Sequence, residues 1–95
     1  MLILIAKGIV KEGLLEEFKK RATELVKETR KEPGNISYRI LQGTENPLLV
    51  TFLEEWQDQE AMEYHFNAEH FKRILPTLFE LQVEKFPPDI YAVMF

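Results

Sequence analysis

Residues 33–56 read PGNISYRILQGTENPLLVTFLEEW and contain two β-strand patterns separated by a turn. From Ile36 to Gln42 the side chains alternate with a period of two, which places Ile36, Tyr38 and Ile40 on one side. This is the pattern of a strand with one buried face. The stretch Thr44-Glu-Asn-Pro47 has turn residues, and an apolar run from Leu48 to Trp56 follows it. This pattern predicts a β-hairpin in the middle of the chain.

Helical patterns flank this hairpin on both sides. Upstream, apolar residues recur every three or four positions from Leu14 to Thr29, and Pro33-Gly34 ends the amphipathic helix. Downstream, Asp58 stands as an N-cap before a helical stripe that includes residues 61–66. The stripe breaks near Asn67-Ala68 and then resumes, so we expect a kink or a short loop within the second helical region.

Strands are predicted at the two ends of the chain. Leu2–Val10 is rich in branched apolar residues, and the segment from Leu81 to Phe95 forms a final strand in which Pro87-Pro88 places a bulge or an edge. The resulting order, β-α-β-β-α-β, is the split βαβ or ferredoxin-like arrangement of the α+β class. We therefore predict one domain over residues 1–95, with a four-stranded antiparallel sheet and both helices on one face.

Composition limits the function of this chain of 95 residues. It contains no cysteine, which excludes disulfides, thiolate metal sites and thiol nucleophiles and favours a cytoplasmic setting. Its net charge of −4 argues against binding to nucleic acid or to anionic membranes. The apolar runs are too short to span a membrane.

The apolar pattern of the strands predicts a homodimer. Leu2 and Leu4 lie on one side of the first strand, and Ile3 and Ile5 lie on the other. Two helices on one face leave the second apolar face uncovered. We expect a second copy of the chain to cover it, sheet against sheet.

One cluster could carry chemistry, since the glycine-rich nucleotide motifs are absent. Alternation places a carboxylate and an indole on the same strand face as Phe52, in the order Phe52, Glu54, Trp56. The helical stripe packed against that face contains Met62, His65 and Phe66. Burial of a carboxyl group and an imidazole together suits proton transfer. The alternative interpretation is structural: a core tryptophan, a solvated strand-end glutamate and a hydrogen-bonded core histidine.

A metal site is the weaker hypothesis for the two histidines. His65 and His70, with Glu69 as a third ligand, offer suitable donor atoms. Their i,i+5 spacing separates them on a continuous helix and lacks the i,i+4 geometry of a helical zinc pair. We therefore predict no metal.

The whole chain resembles the antibiotic biosynthesis monooxygenase family, which includes small quinol monooxygenases and the autoinducer-2 degradation isomerase of a phosphorylated signal sugar. The resemblance rests on Glu32-Pro-Gly-Asn35, Tyr38, Glu54-x-Trp56, Asp58, Ala61, His65 and His70-Phe71. Its most specific part runs from Glu54 to His70.

The resemblance implies a dimeric α/β barrel that uses no flavin, haem or metal. A base in an apolar cavity deprotonates a phenol- or quinol-like substrate, whose anion then reacts with O2. On this interpretation His65 handles the proton, Glu54 is its polar partner and Trp56 forms one wall. The residues expected to contact the substrate are Tyr38, Phe52, Met62, Phe66 and His70.

Departures from the family pattern keep two other functions open. Phe52 and Met62 replace an Asn and a Tyr of polyketide-oxidising members, and the first strand lacks the Asn of haem-degrading relatives. An isomerase of a phosphorylated sugar would need cationic groups from among Lys7, Arg39, Lys72 and Arg73. A dimeric module that only binds small molecules is the third possibility.

Overall fold

The computed structural model describes residues 1–95 and contains five strands and three helices. In chain order these are β1 (Leu2–Val10), α1 (Leu15–Thr29), β2 (Asn35–Gln42), β3 (Leu49–Trp56), α2 (Gln59–Phe66), α3 (Glu69–Phe79), β4 (Gln82–Lys85) and β5 (Asp89–Ala92). All strand pairs are antiparallel. The α+β ferredoxin-like fold is confirmed.

The central strands of the sheet are β1 and β3. The strand order is β2-β3-β1-β4, and β5 also pairs with β1. The predicted single final strand is therefore wrong in one respect: β4 and β5 are separate segments that pair with different parts of β1. Pro87-Pro88 lies between them, and proline has no amide hydrogen to donate to a neighbouring strand.

The main core lies between the sheet and helices α1 and α3. Phe18, Ala22 and Leu25 of α1 recur at helical spacing and are buried, as are Ile74 and Leu78 of α3. They pack with the inward side chains of the sheet, which include Val10, Tyr38, Val50 and Phe52. Burial of each large apolar side chain contributes about 1.5–3 kcal/mol. These contacts hold α3 over the sheet.

The predicted break in the second helical region is confirmed. The Asp58 side chain accepts a hydrogen bond of 2.9 Å from the Ala61 amide and caps α2. Asn67 closes α2, and Ala68 has an extended backbone with a ψ of 146° before α3 begins. His65 and His70 therefore lie on separate helices, and the spacing rule for two residues of one continuous helix does not apply to them.

A register shift at the start of β2 moves one residue out of the predicted pattern. The pairing with β3 is irregular between Asn35 and Ser37. Ile36, which we expected to share the buried face with Tyr38, is 53% exposed. The prediction for Ile36 was wrong because an irregularity in strand pairing breaks the two-residue period.

The other face of the sheet carries apolar side chains that are only partly buried. Ile3 and Ile5 of β1 and Leu53 of β3 lie there, and each is partly exposed. On β3 these outward residues alternate with buried inward ones. Ile5 is paired directly with Leu53. None of the three helices combines the length and the apolarity needed to cross a bilayer.

Candidate active site

A cavity of about 510 Å³ lies between the helix-covered face of the sheet, helix α3 and the segment that contains β4. Most of its wall is apolar, and five phenylalanine residues contribute: Phe52, Phe66, Phe71, Phe79 and Phe86. Its polar residues are Tyr38, Glu54, Gln82, Lys72, Lys85 and Lys7, of which Lys7 shares the open face of the sheet with Ile5. An apolar cavity with a few convergent polar groups is typical of a small-molecule site.

Glu54 is the acidic side chain of this cavity. It lies on the inward face of β3, is 5% exposed, and is paired with Leu4 on one side and Tyr38 on the other. Its Oε1 accepts a hydrogen bond of 3.1 Å from the Trp56 indole N–H. Burial raises the pKa of Glu54 to about 7, although the Trp56 hydrogen bond partly offsets this effect. Near neutral pH this carboxyl group can both accept and release a proton.

Tyr38 supplies a hydroxyl group to the same cavity. Its side chain is buried and faces Glu54 across the β2–β3 pair. Burial, and secondarily the negative charges of Glu54 and Glu32, raise the pKa of the Tyr38 phenol well above its ordinary value. The phenol therefore keeps its proton and is available as a hydrogen-bond donor.

His65 lies behind the cavity wall, packed among aromatic rings. Its ring centroid is 4.7 Å from that of Trp56 and 4.9 Å from that of Phe71. Its Nδ1 lies 2.8 Å from Oε2 of Glu32. The polar partner of His65 is thus Glu32, and our prediction of Glu54 as that partner was wrong. Burial lowers the pKa of His65, which favours the neutral ring.

The hydrogen bond to Glu32 sets the tautomer of His65. A carboxylate only accepts hydrogen bonds, so the proton of the neutral ring lies on Nδ1. Nε2 is buried and has no hydrogen-bond partner. The sequence predicted that His65 takes the substrate proton directly. This role requires that the substrate reach Nε2, but His65 is not among the residues that line the cavity.

Glu32 was missed as a site residue. It follows α1, directly before Pro33-Gly34, where the local pattern reads as a turn. The structure buries it to 7% exposure, and the same oxygen that contacts His65 also contacts His70 Nε2 at 2.6 Å. The only sequence signal for Glu32 is its place in the family motif, since no periodic pattern includes it.

The other predicted site residues divide into two groups. The structure brings Tyr38, Phe52, Glu54 and Phe66 together in the cavity wall. It does not bring Trp56, Met62, His65 or His70 to that wall. Met62 packs with Leu4 and Trp56 in a separate buried cluster, and Trp56 meets the cavity only through Glu54. The helical stripe on α2 covers the end of the sheet, whereas the cavity lies beneath α3.

Glu32, His65 and His70 also form the one group with metal-ligand chemistry, because their donor atoms lie within 4.8 Å of one another. Glu69, the third ligand considered from the sequence, instead accepts a hydrogen bond from Arg73. Two ligand atoms of one zinc ion lie roughly 3.4 Å apart, given metal–ligand distances of about 2.1 Å. The distances of 2.6 and 2.8 Å to Glu32 are those of hydrogen bonds. A metal ion would have to displace both bonds.

A larger groove of about 730 Å³ runs between α1 and the hairpin strands. Its wall is aliphatic, with Lys19, Lys27 and Arg30 as its charged residues. No carboxyl or imidazole group lines it. Size alone would favour this groove, but proton-transfer groups are found in the smaller cavity beside Glu54.

Comparison with known proteins agrees with this fold. A family model described as antibiotic biosynthesis monooxygenase matches residues 1–76. The chain belongs to this family. A Bacillus subtilis protein named "Putative monooxygenase YcnE" is 38% identical over 74 residues, which are 76% of each chain. An uncharacterised Synechocystis protein, sll1783, is 28% identical over 96% of this chain and 63% of its own length.

Solved structures of similar chains share the whole fold. A conserved protein from Methanosarcina mazei is 37% identical, with a TM-score of 0.92 over 96% of this chain and 90% of that one. A crystal structure of an antibiotic biosynthesis monooxygenase is 30% identical, with a TM-score of 0.85 over 98% and 99% of the two chains. Family membership and these names support a monooxygenase-type activity in general terms.

Proposed function

We propose that this protein is a cofactor-independent monooxygenase that oxidises a small aromatic quinol, or a related enolisable compound, with O2. The observation that carries this proposal is Glu54, an acid with a pKa raised to about 7 in the wall of a mostly apolar cavity. A general base is most effective when its pKa lies near the working pH. The family assignment independently supports oxygenation as the reaction class.

Glu54 is the base of the first step, the removal of a proton from the substrate. The ionised Glu54 carboxylate takes a proton from the substrate hydroxyl or acidic C–H, and the apolar wall limits competition from water. The Tyr38 phenol, which keeps its own proton, donates a hydrogen bond to the oxygen of the resulting anion. The electron-rich anion then reacts with O2. For a hydroquinone, one quinol and one O2 give one hydroxyquinone and one water.

In this mechanism His65 is a positioning residue. Glu32 holds its ring against Trp56, and the Trp56 indole donates to the Glu54 carboxylate. This series of contacts, from Glu32 through His65 and Trp56, orients Glu54 and favours its ionised form. Glu54 therefore replaces His65 as the proposed base, because Glu54 lines the cavity and His65 does not.

An isomerase of a phosphorylated sugar remains the second candidate. Of the four cationic residues considered for phosphate binding, Lys72 has its side chain at the cavity, whereas Lys7 shares the open face of the sheet with Ile5. Arg73 is held by Glu24 and Glu69, and Arg39 is paired with Leu53 on the opposite face of the sheet. A binding module without turnover is the third candidate. Oxygen consumption distinguishes the first function from both others.

The test is oxygen uptake with a panel of hydroquinones and naphthohydroquinones. We expect at least one compound to be consumed with one O2 per molecule, well above its rate of autoxidation, in the presence of a metal chelator. Heat-unfolded protein at the same concentration is the matched control. Uptake no faster than autoxidation across the panel would reject the monooxygenase assignment and favour the other two candidates.

We also propose that the chain functions as a homodimer joined through the open face of the sheet. The pair Ile5 and Leu53 lies at the centre of that face, and both side chains are only partly buried in the single chain. Light scattering after gel filtration should give twice the chain mass of 11.2 kDa. Leu53→Glu should weaken the dimer, whereas Gln57→Glu, at an exposed position, should not. A monomeric wild-type protein at micromolar concentration would contradict this proposal.

A further inference from the structure

Two lysines have their side chains on the helix-covered side of the sheet, at the cavity that contains Glu54. Lys72 comes from α3 and Lys85 from β4, so separate elements place them there. The Lys85 ammonium lies 4.5 Å from the centre of the Phe79 ring, which also lines the cavity. This cation–π contact holds the Lys85 charge at the cavity wall.

Neither ammonium group is neutralised by a carboxylate. The lysines that form ion pairs in this protein are Lys19 and Lys31, both on or next to α1 and far along the chain from the cavity residues. Glu54 is the only acid among the cavity residues. Arg73, next to Lys72 in sequence, is bound by two glutamates outside the cavity. The lysine charges are therefore available to a ligand.

This local charge contrasts with the protein as a whole. The chain carries a net charge of −4, yet the cavity brings together two lysine side chains and one carboxyl group. Like-charged groups around an apolar recess repel one another and attract an oppositely charged ligand from solution. The remaining wall is dominated by aromatic rings, which favour contact with a planar apolar body.

We infer that the cavity takes aromatic substrates that carry an anionic substituent such as a carboxylate. The ring system lies against the phenylalanine side chains, the reacting hydroxyl group faces Glu54, and the anionic group binds to Lys72 and Lys85. This inference rests on the proposed function for the identity of the reacting group. The preference for an anion rests on the lysines alone.

The experiment compares two probes by isothermal titration calorimetry, a method that needs no turnover. The probes are 1-hydroxy-2-naphthoate, which carries the carboxylate, and 1-naphthol, which lacks it. We expect the naphthoate to bind at least about tenfold more tightly at low salt and to lose most of this advantage near 0.5 M NaCl, where ionic screening acts over about 4 Å. Equal affinity for the two probes at low salt would overturn the inference.

Variants that remove the lysine charges locate the effect. The double variant Lys72→Gln/Lys85→Gln should weaken naphthoate binding about tenfold and change naphthol binding less than twofold. The matched control, Lys11→Gln/Lys20→Gln, removes the same charge from two exposed positions outside the cavity and the larger groove and should leave both affinities unchanged. Unchanged naphthoate binding in the cavity variant, or an equal loss in the control, would also overturn the inference.

The outcomes separate this inference from the proposed function. A protein that oxidises neutral quinols but shows no preference for the naphthoate retains the monooxygenase function and rejects the anionic substrate. A protein that binds the naphthoate through Lys72 and Lys85 but oxidises no quinol retains the anionic ligand and rejects the monooxygenase function.

Discussion

Glu54→Gln is expected to lower kcat/KM for quinol oxidation by a factor of about 10² to 10⁴, the usual contribution of a general base. Glutamine has nearly the same shape and can still accept the Trp56 hydrogen bond through its amide oxygen. It cannot take a proton from the substrate. Because the buried Glu54 has a raised pKa, replacing it removes a group that is costly to ionise, so the variant should fold.

The pH dependence of the same reaction gives a second readout. Below its pKa Glu54 is protonated and cannot act as a base, so kcat/KM of the wild-type protein should rise with pH and level off above about 7. For a glutamate with its ordinary pKa, the midpoint of this change would lie near pH 4.5. The rise should disappear in Glu54→Gln. Measurement of O2 uptake between about pH 5 and pH 9 covers the transition.

Glu55→Gln is the matched control for this position. Glu55 is the next residue on β3, where its carboxylate faces Ser37 on the open side of the sheet. The same chemical change there should leave kcat/KM within about twofold and should not alter the pH profile. If Glu54→Gln retained wild-type kcat/KM and the same rise with pH, Glu54 would not be the base.

Glu32→Ala is expected to cost about 3 kcal/mol of the free energy of unfolding. The Glu32 carboxylate is buried and is the hydrogen-bond partner of both His65 Nδ1 and His70 Nε2. Removing it leaves two donors without acceptors, and each unsatisfied buried group costs about 1–3 kcal/mol. Urea unfolding followed by tryptophan fluorescence at a fixed protein concentration measures the loss, since Trp56 is in contact with His65.

Glu28→Ala provides the surface comparison. Glu28 lies in the last turn of α1 and pairs with Lys31; the Lys31 side chain is 65% exposed and that of Glu28 is 36% exposed. Such pairs contribute about 0–1 kcal/mol. A Glu32→Ala variant no less stable than Glu28→Ala would show that the buried hydrogen bonds are not important for folding. Glu32→Gln, which keeps one acceptor, should fall between the two.

The order of the elements was predictable because its signals are local. Alternation with a period of two identified the hairpin, helical spacing identified α1, and Asp58 marked the start of α2. The break near Asn67-Ala68 was also visible, since the helical stripe loses its register there. The irregular pairing at Ile36 was not, because it depends on how β2 meets β3 rather than on either strand alone.

The site was predictable only in part. Alternation correctly placed Phe52 and Glu54 on the inward face of β3, and both line the cavity. The partner of His65 was not predictable in this way, because Glu32 is separated from it by 33 positions and by the entire hairpin. Whether His65 contacts Glu32 or Glu54 depends on how the loop after α1 and strand β3 pack against α2.

The sequence alone therefore determined the first three strands, the helical regions, their order and the class of fold, because each follows from side-chain periodicity over a few residues. The division of the last segment into β4 and β5 was not determined in this way. The tertiary structure decided which groups are in the cavity and which lie behind its wall. Glu54 became the candidate base, and His65 became its support through Trp56. The physical reason is that proton transfer requires contact at hydrogen-bond distance, and packing between distant segments sets such distances to within an ångström.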